Sequence, residues 1–460
     1  FVILPTSKFQ RYLDKGNNHS LLLPHLKMAA PNTQTDTSQE AAEPLVDLQN
    51  DETNLTNSIT RLETFLRLLG FFQNSFLSIT LSWAAFLLVG LALPVVMIKL
   101  SSCSGCEEFE VNRFELEILV FQFLVAGFSL LCVSRKLRKY GLRRFLFVDR
   151  FHGHIAQFRD DYARKIHEFF RLLVAWVLPC LLLKTVREII RMMYGHHDSW
   201  WQDIAILVAL IISWTYSTLL YLSGCALFNL VCNLQVIHFE NYGKLLERDL
   251  DVSVYIDEHT RMTHDLSRIS HRFRVFFILE LLFVTASQFV ALVQTTGNRG
   301  IINLINGGDF AVSSIVELVG VVICLHAAAK ITHRAQGVAS VATRWHSIVT
   351  CTTSESSQGS IINNIGKFDP SSSTGSLPIS YSESDLEVGD YIPVPTTTQL
   401  ASHMTSYHKR QAFVMYLLSN PGGFTVFGWR IDRTLINTIF FLEMSLVLFV
   451  LGKTITFSST

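Results

Sequence analysis

Charge is scarce in this sequence. Lys, Arg, Asp and Glu make up 17% of its 460 residues and cancel to zero, whereas an average globular chain carries about a quarter. A balanced chain exerts no overall pull on nucleic acid, so no nucleic-acid partner is expected. Cysteine is also sparse. Six of the eight lie scattered, mostly within apolar stretches, where they read as small apolar residues. Phosphate-binding loops, zinc-protease helices and nucleophile elbows are missing. "HGH" at 152–154 and "HH" at 196–197 are too short to argue a metal. We expect no enzyme, no catalytic residues, no cofactor and no metal site. The remaining pair, Cys103 and Cys106 in "SSCSGCEEFE", could form a disulfide in an oxidising compartment; a zinc ion there would need further ligands.

Apolar residues are plentiful: they form 49% of the chain, including 34 Phe, and gather in blocks. A helix needs about 20 mostly apolar residues to cross a bilayer. Such blocks fall near 77–98, 114–134, 168–190, 203–233, 275–295, 309–330 and 431–452. The third, with Lys184 and Arg187 in "LLLKTVREII", is the weakest of the seven, and the fourth is longer than a bilayer requires. The fold class is therefore all-α, a polytopic membrane protein with seven transmembrane helices.

Lys and Arg accumulate in cytoplasmic loops. The loop after span two contains "RKLRKYGLRR" at 135–144 and holds ten basic residues; the segments after spans four and six hold six each. The alternate loops are poor, with Lys99 and Arg113, Arg187 and Arg191, and Arg299. The amino terminus is expected inside and the carboxyl terminus outside. Receptors that couple to G proteins have the opposite orientation, and their Asp/Glu-Arg-Tyr and Asn-Pro-x-x-Tyr signatures are missing here. Three- and four-residue spacing of apolar positions in "YARKIHEFFRLLVAWVL" and after "ENYGKLLERDL" predicts helices projecting below the membrane.

Residues 1–27 read as translated upstream sequence, with Met28 as a natural start, and 28–60 as a disordered acidic cytoplasmic segment. Spans one to six and their extensions occupy 61–350. The Ser-, Gly- and Pro-rich stretch 351–406 is expected to be a disordered cytoplasmic insert. Residues 407–455 hold an amphipathic helix, the breaker "SNPGGF" and span seven.

"YHKRQAFVMYLLSNPGGFTVFGWRIDRTLINTIFFLEMSLVLFVLGKTI", "RFRVFFILELLFVTASQF" and "ITHRAQGVASVATRWHSIVTC" together resemble a plant membrane family, formerly of unknown function, related to insect gustatory and odorant receptors. The resemblance runs from Arg61 to Ile455. It implies a seven-transmembrane ion channel with the inverted orientation, four subunits around one pore, and a last helix broken into cytoplasmic and pore-lining halves. The insect motif of that helix, Thr-Tyr, five apolar residues and Gln-Phe, is degenerate here: Thr438-Ile439 and Ser445-Leu446 flank a stretch interrupted by Glu443.

Intramembrane carboxylates mark cavities, pores or partners, and Glu280, Glu317 and Glu443 are the candidates. Asn437, Phe440, Glu443 and Val447 fall on one helical face and are the expected pore lining, four carboxylates favouring monovalent or divalent cations. Pairing of Glu443 with a neighbouring helix is the alternative. The resemblance places ligands in the outer half of the bundle, where Trp176, Trp214, Tyr216 and Glu317 are the candidates for an unknown small molecule. The expected function is a homotetrameric ligand-gated cation channel in contact with membrane lipid, plasma membrane before endomembrane. A transporter, or a non-conducting receptor or scaffold, is the alternative.

Overall fold

In the computed structural model, residues 43–100, 109–146, 155–194, 200–246, 251–297, 304–356 and 406–458 are described. The chain divides into two units, Phe1–Gln49 and Asn50–Thr460. Of the first, only the start of helix α1 is described; all that follows concerns the second. The proposed upstream segment 1–27, the Cys103/Cys106 loop and residues 357–405 of the insert read at 351–406 lie outside the described residues, whereas 351–356 continue a helix and 406 begins one.

Ten α-helices and one short hairpin are described: α1 (Glu43–Leu68), α2 (Phe76–Leu87), α3 (Leu93–Leu100), α4 (Phe109–Phe145), α5 (Ile155–Tyr194), α6 (Trp200–Leu246), α7 (Val252–Gly297), α8 (Leu304–Ser356), α9 (Ser406–Ser419), β1 (Thr425–Val426), β2 (Trp429–Arg430) and α10 (Arg433–Ser458). A π-helical turn, Leu88–Ala92, joins α2 to α3. Among the described residues, seven helices are long and apolar enough to cross a membrane, each overlapping one predicted block. Their outward faces are apolar. Val174, Leu178, Leu182, Val186 and Ile190 form an exposed row along α5 at four-residue spacing. A water-soluble bundle would bury such a row; the seven apolar helices and this row are the pattern of a membrane-integral protein.

The helices outrun the bilayer. With 53 residues, α8 is roughly 80 Å long, against a hydrocarbon core of about 30 Å. The surplus of α4 to α8 lies at one end of the bundle, here the extended end; the helix ends at Leu100, Phe109, Tyr194, Trp200, Gly297 and Leu304 lie at the other, the short end. The projecting helices predicted from the sequence are continuations of the spans. They continue the core of the spans, with Tyr255, Trp345 and Phe413 meeting ring to ring and Tyr242 donating to the Tyr255 carbonyl at 2.8 Å.

Two local departures from the sequence reading follow from side-chain pattern. Residues 43–60, read as part of a disordered segment, are helical in α1. Leu55, Ile59, Leu62 and Leu66 recur on one face and are buried, and Phe65 packs edge-on against Phe169 and Phe170. The breaker after α9 also holds an unpredicted antiparallel hairpin, with Thr425 opposite Arg430 and Val426 opposite Trp429. Its two turn residues, Phe427 and Gly428, both have positive φ (48° and 85°), as a two-residue hairpin turn of matching twist demands. Arg274 of α7 stacks on the Phe427 ring at 4.9 Å. Phe424 is fully buried and its N–H donates to Thr332 Oγ1 of α8 at 3.0 Å. The break between the last two helices is thus clamped to α7 and α8.

Candidate functional site

The residues that weaken span three as a membrane segment build its most polar feature. Lys184, Arg187, Glu188 and Arg191 recur at three- and four-residue spacing, so they share one face of α5, turned inward from the lipid-facing row. Lys184 pairs with Asp309 of α8, and with Glu188 at 3.0 Å. Arg187 Nη2 lies 2.5 Å from Glu115 Oε1 of α4, and its Nη1 lies 2.6 Å from Glu188 Oε1. Arg191 approaches Glu115 at 3.4 Å and Glu188 at 3.8 Å. Lys184, Arg187, Glu188, Glu115 and Asp309 are buried. Three cations thus face three carboxylates at the short end, a sum of zero, which is the condition for keeping such charges out of water.

This ionic centre forms one wall of a cleft of about 470 Å³, including its open mouth, between α3, α4, α5, α6 and α8. Trp214 lines it, and the Trp214 indole N–H is buried without a hydrogen-bond partner. Gln122 and Ser217 also border a second, deeper cleft of about 270 Å³, whose floor includes Tyr221 and Glu317. Glu317 Oε2 has no hydrogen-bond partner. Gly320 allows the depth: a Cβ there would stand 2.1 Å from the Tyr221 hydroxyl. The phenol therefore lies against α8 and donates to the Glu317 carbonyl at 2.9 Å. Of the four sequence candidates for ligand contact, Trp214 and Glu317 line these connected clefts. Trp176 is on the outer surface, 40% exposed, and Tyr216 packs at the edge of the apolar core. Sequence reasoning missed Glu115, Glu188, Arg191 and Asp309. The available signal was the spacing of four charges on one face of an otherwise apolar run.

The predicted pore residues divide between two sides of α10. Glu443 and Val447 are buried, Phe440 is half-buried and Asn437 is exposed. Glu443 Oε1 is hydrogen-bonded to Thr285 Oγ1 of α7 at 2.5 Å. On the opposite side of the helix, Thr434, Thr438, Ser445 and Gly452 are exposed. The basic run straddles a break in α4 at Gly141 (φ 68°). Leu137, Leu142 and Phe145 anchor it, while Arg135, Arg138, Arg143 and Arg144 are exposed.

The sequence from 57 to 442 matches the family described as "Protein of unknown function (DUF3537)". No curated protein matches, and no solved structure matches.

Proposed function

The chain belongs to this family, and from that premise we propose that it is a ligand-gated cation channel of the seven-helix chemoreceptor kind, four copies surrounding one pore. The observation that carries the reading is how unequally the chain covers its own spans. Of the apolar window of span six, 72% is buried; of span seven, 17%. The uncovered side of span seven carries Thr434, Thr438, Ser445 and Gly452 within an otherwise apolar helix. The Thr438 and Ser445 hydroxyls donate back to their own helix at 3.0 and 2.8 Å, which leaves their oxygens as acceptors, and a pore wall needs oxygen atoms to stand in for the hydration of a passing ion. Four copies turning this side to a common axis line the path with hydroxyls. Asn437 borders it, and Glu443 stands behind the wall, where it acts through its field.

Exposed basic residues at the extended end support a cytoplasmic position for that end by the charge rule, and in this reading the ionic centre and its clefts face the outside. A small molecule with an apolar body and a polar group suits a cleft lined by Trp214 and closed by paired charges. The hydrogen-bonding capacity left open at Trp214 Nε1 and Glu317 Oε2 orients it.

Two measurements on the purified full-length protein test this. Its native mass in detergent should be that of four copies, and reconstituted bilayers should pass cation current. Aqueous thiol reagents should block current in Thr438→Cys and Ser445→Cys but not in Val447→Cys. A monomer without current, whatever small molecule is added, would overturn the proposal and favour a transporter.

A further inference from the structure

Deeper than the clefts, toward the extended end, two thiols and a carboxylate meet on three different helices. Cys225 of α6, Glu280 of α7 and Cys324 of α8 each offer a ligand atom, and all three atoms lie within 4.8 Å of one another. All three side chains are buried, Cys324 completely. Cys225 Sγ donates to Glu280 Oε1 at 3.2 Å, Cys324 also hydrogen-bonds Glu280, and the two thiols contact each other. The Tyr221 hydroxyl lies 3.0 Å from the same Glu280 oxygen. Among the described residues no ion pair involves Glu280; its partners are thiols and a phenol.

We propose that Cys225, Cys324 and Glu280, with the Tyr221 phenol oxygen or a water as fourth ligand, form a site for one divalent ion of the zinc class that ties α6, α7 and α8 together. The donor set argues for that class. Thiolate sulfur selects soft or borderline ions over calcium and magnesium, and a mixed sulfur–oxygen tetrahedron suits zinc. Tetrahedral bonds of about 2.3 Å to sulfur and 2.0–2.2 Å to oxygen put ligand atoms roughly 3.4–3.8 Å apart; Cys225 and Glu280 already approach to 3.2 Å, and the wider separations, all within 4.8 Å, close by about 1 Å at most, a side-chain adjustment. On binding, each thiol gives its proton to water and its sulfur lone pair to the ion; nothing is oxidised. Tyr221, whose hydroxyl meets Glu280, also lines the deeper cleft, so the cluster and the cleft share this residue.

The experiment uses full-length protein in detergent, stripped with chelator and carrying Cys103→Ser and Cys106→Ser to silence the loop pair. Cadmium is titrated as the spectroscopic stand-in for zinc, reading the thiolate-to-metal charge-transfer band. The expected result is one equivalent per chain, loss of the band in Cys225→Ser/Cys324→Ser, and binding at least tenfold weaker in Glu280→Gln. If the double variant does not fold, Cys324→Ser alone and Glu280→Gln decide: each must weaken the band. A folded protein with no band, a band insensitive to these substitutions, or a Cys225–Cys324 disulfide in protein isolated with thiols trapped would overturn the site.

Discussion

Two sets of buried charge share one helix bundle and are treated in opposite ways. At the short end, three cations and three carboxylates neutralise one another across α4, α5 and α8. Deeper in, Glu280, Glu317 and Glu443 meet hydroxyls and thiols, and among the described residues no ion pair joins them. The difference separates architecture from availability. Compensated charge fixes the relative position of the helices that carry it, and removing one member strands the rest. Carboxylates satisfied by neutral donors remain open to a ligand, an ion or a proton.

The contrast can be broken most directly at Arg187, which faces Glu115, Glu188 and, at 3.9 Å, Asp309. Arg187→Leu should lower stability by about 3–5 kcal/mol, because three buried carboxylates are then left with only Lys184 and Arg191. Adding Glu115→Gln should recover part of that loss, since coupled partners are non-additive. Denaturant or thermal unfolding in detergent measures both. An undiminished Arg187→Leu would mean that the centre is as free as the carboxylates below it.

Glu443 sharpens the other side of the comparison. Glu443→Ala deletes the contact with Thr285 and should cost about 1–3 kcal/mol, while Glu443→Gln keeps an acceptor there and should cost about 1 kcal/mol or less. In the channel reading the Gln variant also lowers cation conductance or selectivity while the tetramer persists. A Gln variant as unstable as Arg187→Leu would place Glu443 with the compensated set.

Smaller effects are expected outside both sets. Gly428→Ala forces a Cβ into a left-handed turn and should cost about 1–2 kcal/mol, seen as a lower melting temperature. Asn54 is exposed on α1 and belongs to a glycosylation sequon. With the amino terminus inside it should carry no glycan in cells, and mass spectrometry that finds one would reverse the orientation. Deleting 357–400 should leave assembly and melting temperature unchanged, because the segment's composition supports no core.

The spans were legible because length and apolar content alone decide them. All seven blocks became helices, and the projecting segments were foreseen from their three- and four-residue spacing. The sites were less legible, for reasons of distance along the chain. Glu115, Arg187 and Asp309 are neighbours only after three helices have packed, and from sequence Lys184 and Arg187 looked like defects in a span. Cys225, Glu280 and Cys324 were hidden in the same way, two thiols reading as small apolar residues. Helical period grouped Asn437, Phe440, Glu443 and Val447, but period alone does not say where a neighbouring helix ends its cover. The hairpin had a local signal, Gly428 within "TVFGWR", which the stronger breaker "SNPGGF" masked.

The unbroken course of α8 has a mechanical consequence. Asp309, in the ionic centre, and Thr332, which holds the backbone of Phe424, stand on the same rod about 35 Å apart at about 1.5 Å per residue. No proline interrupts it, and a helix fixed by packing along that length tilts as a lever. A small rotation of its short end, such as a molecule wedged beside Trp214 would impose, arrives at Thr332 as a displacement. There the hairpin and the first turn of α10 are bolted on. In the channel reading, torque applied beside Trp214 would thereby reach the start of the last helix through the backbone of α8.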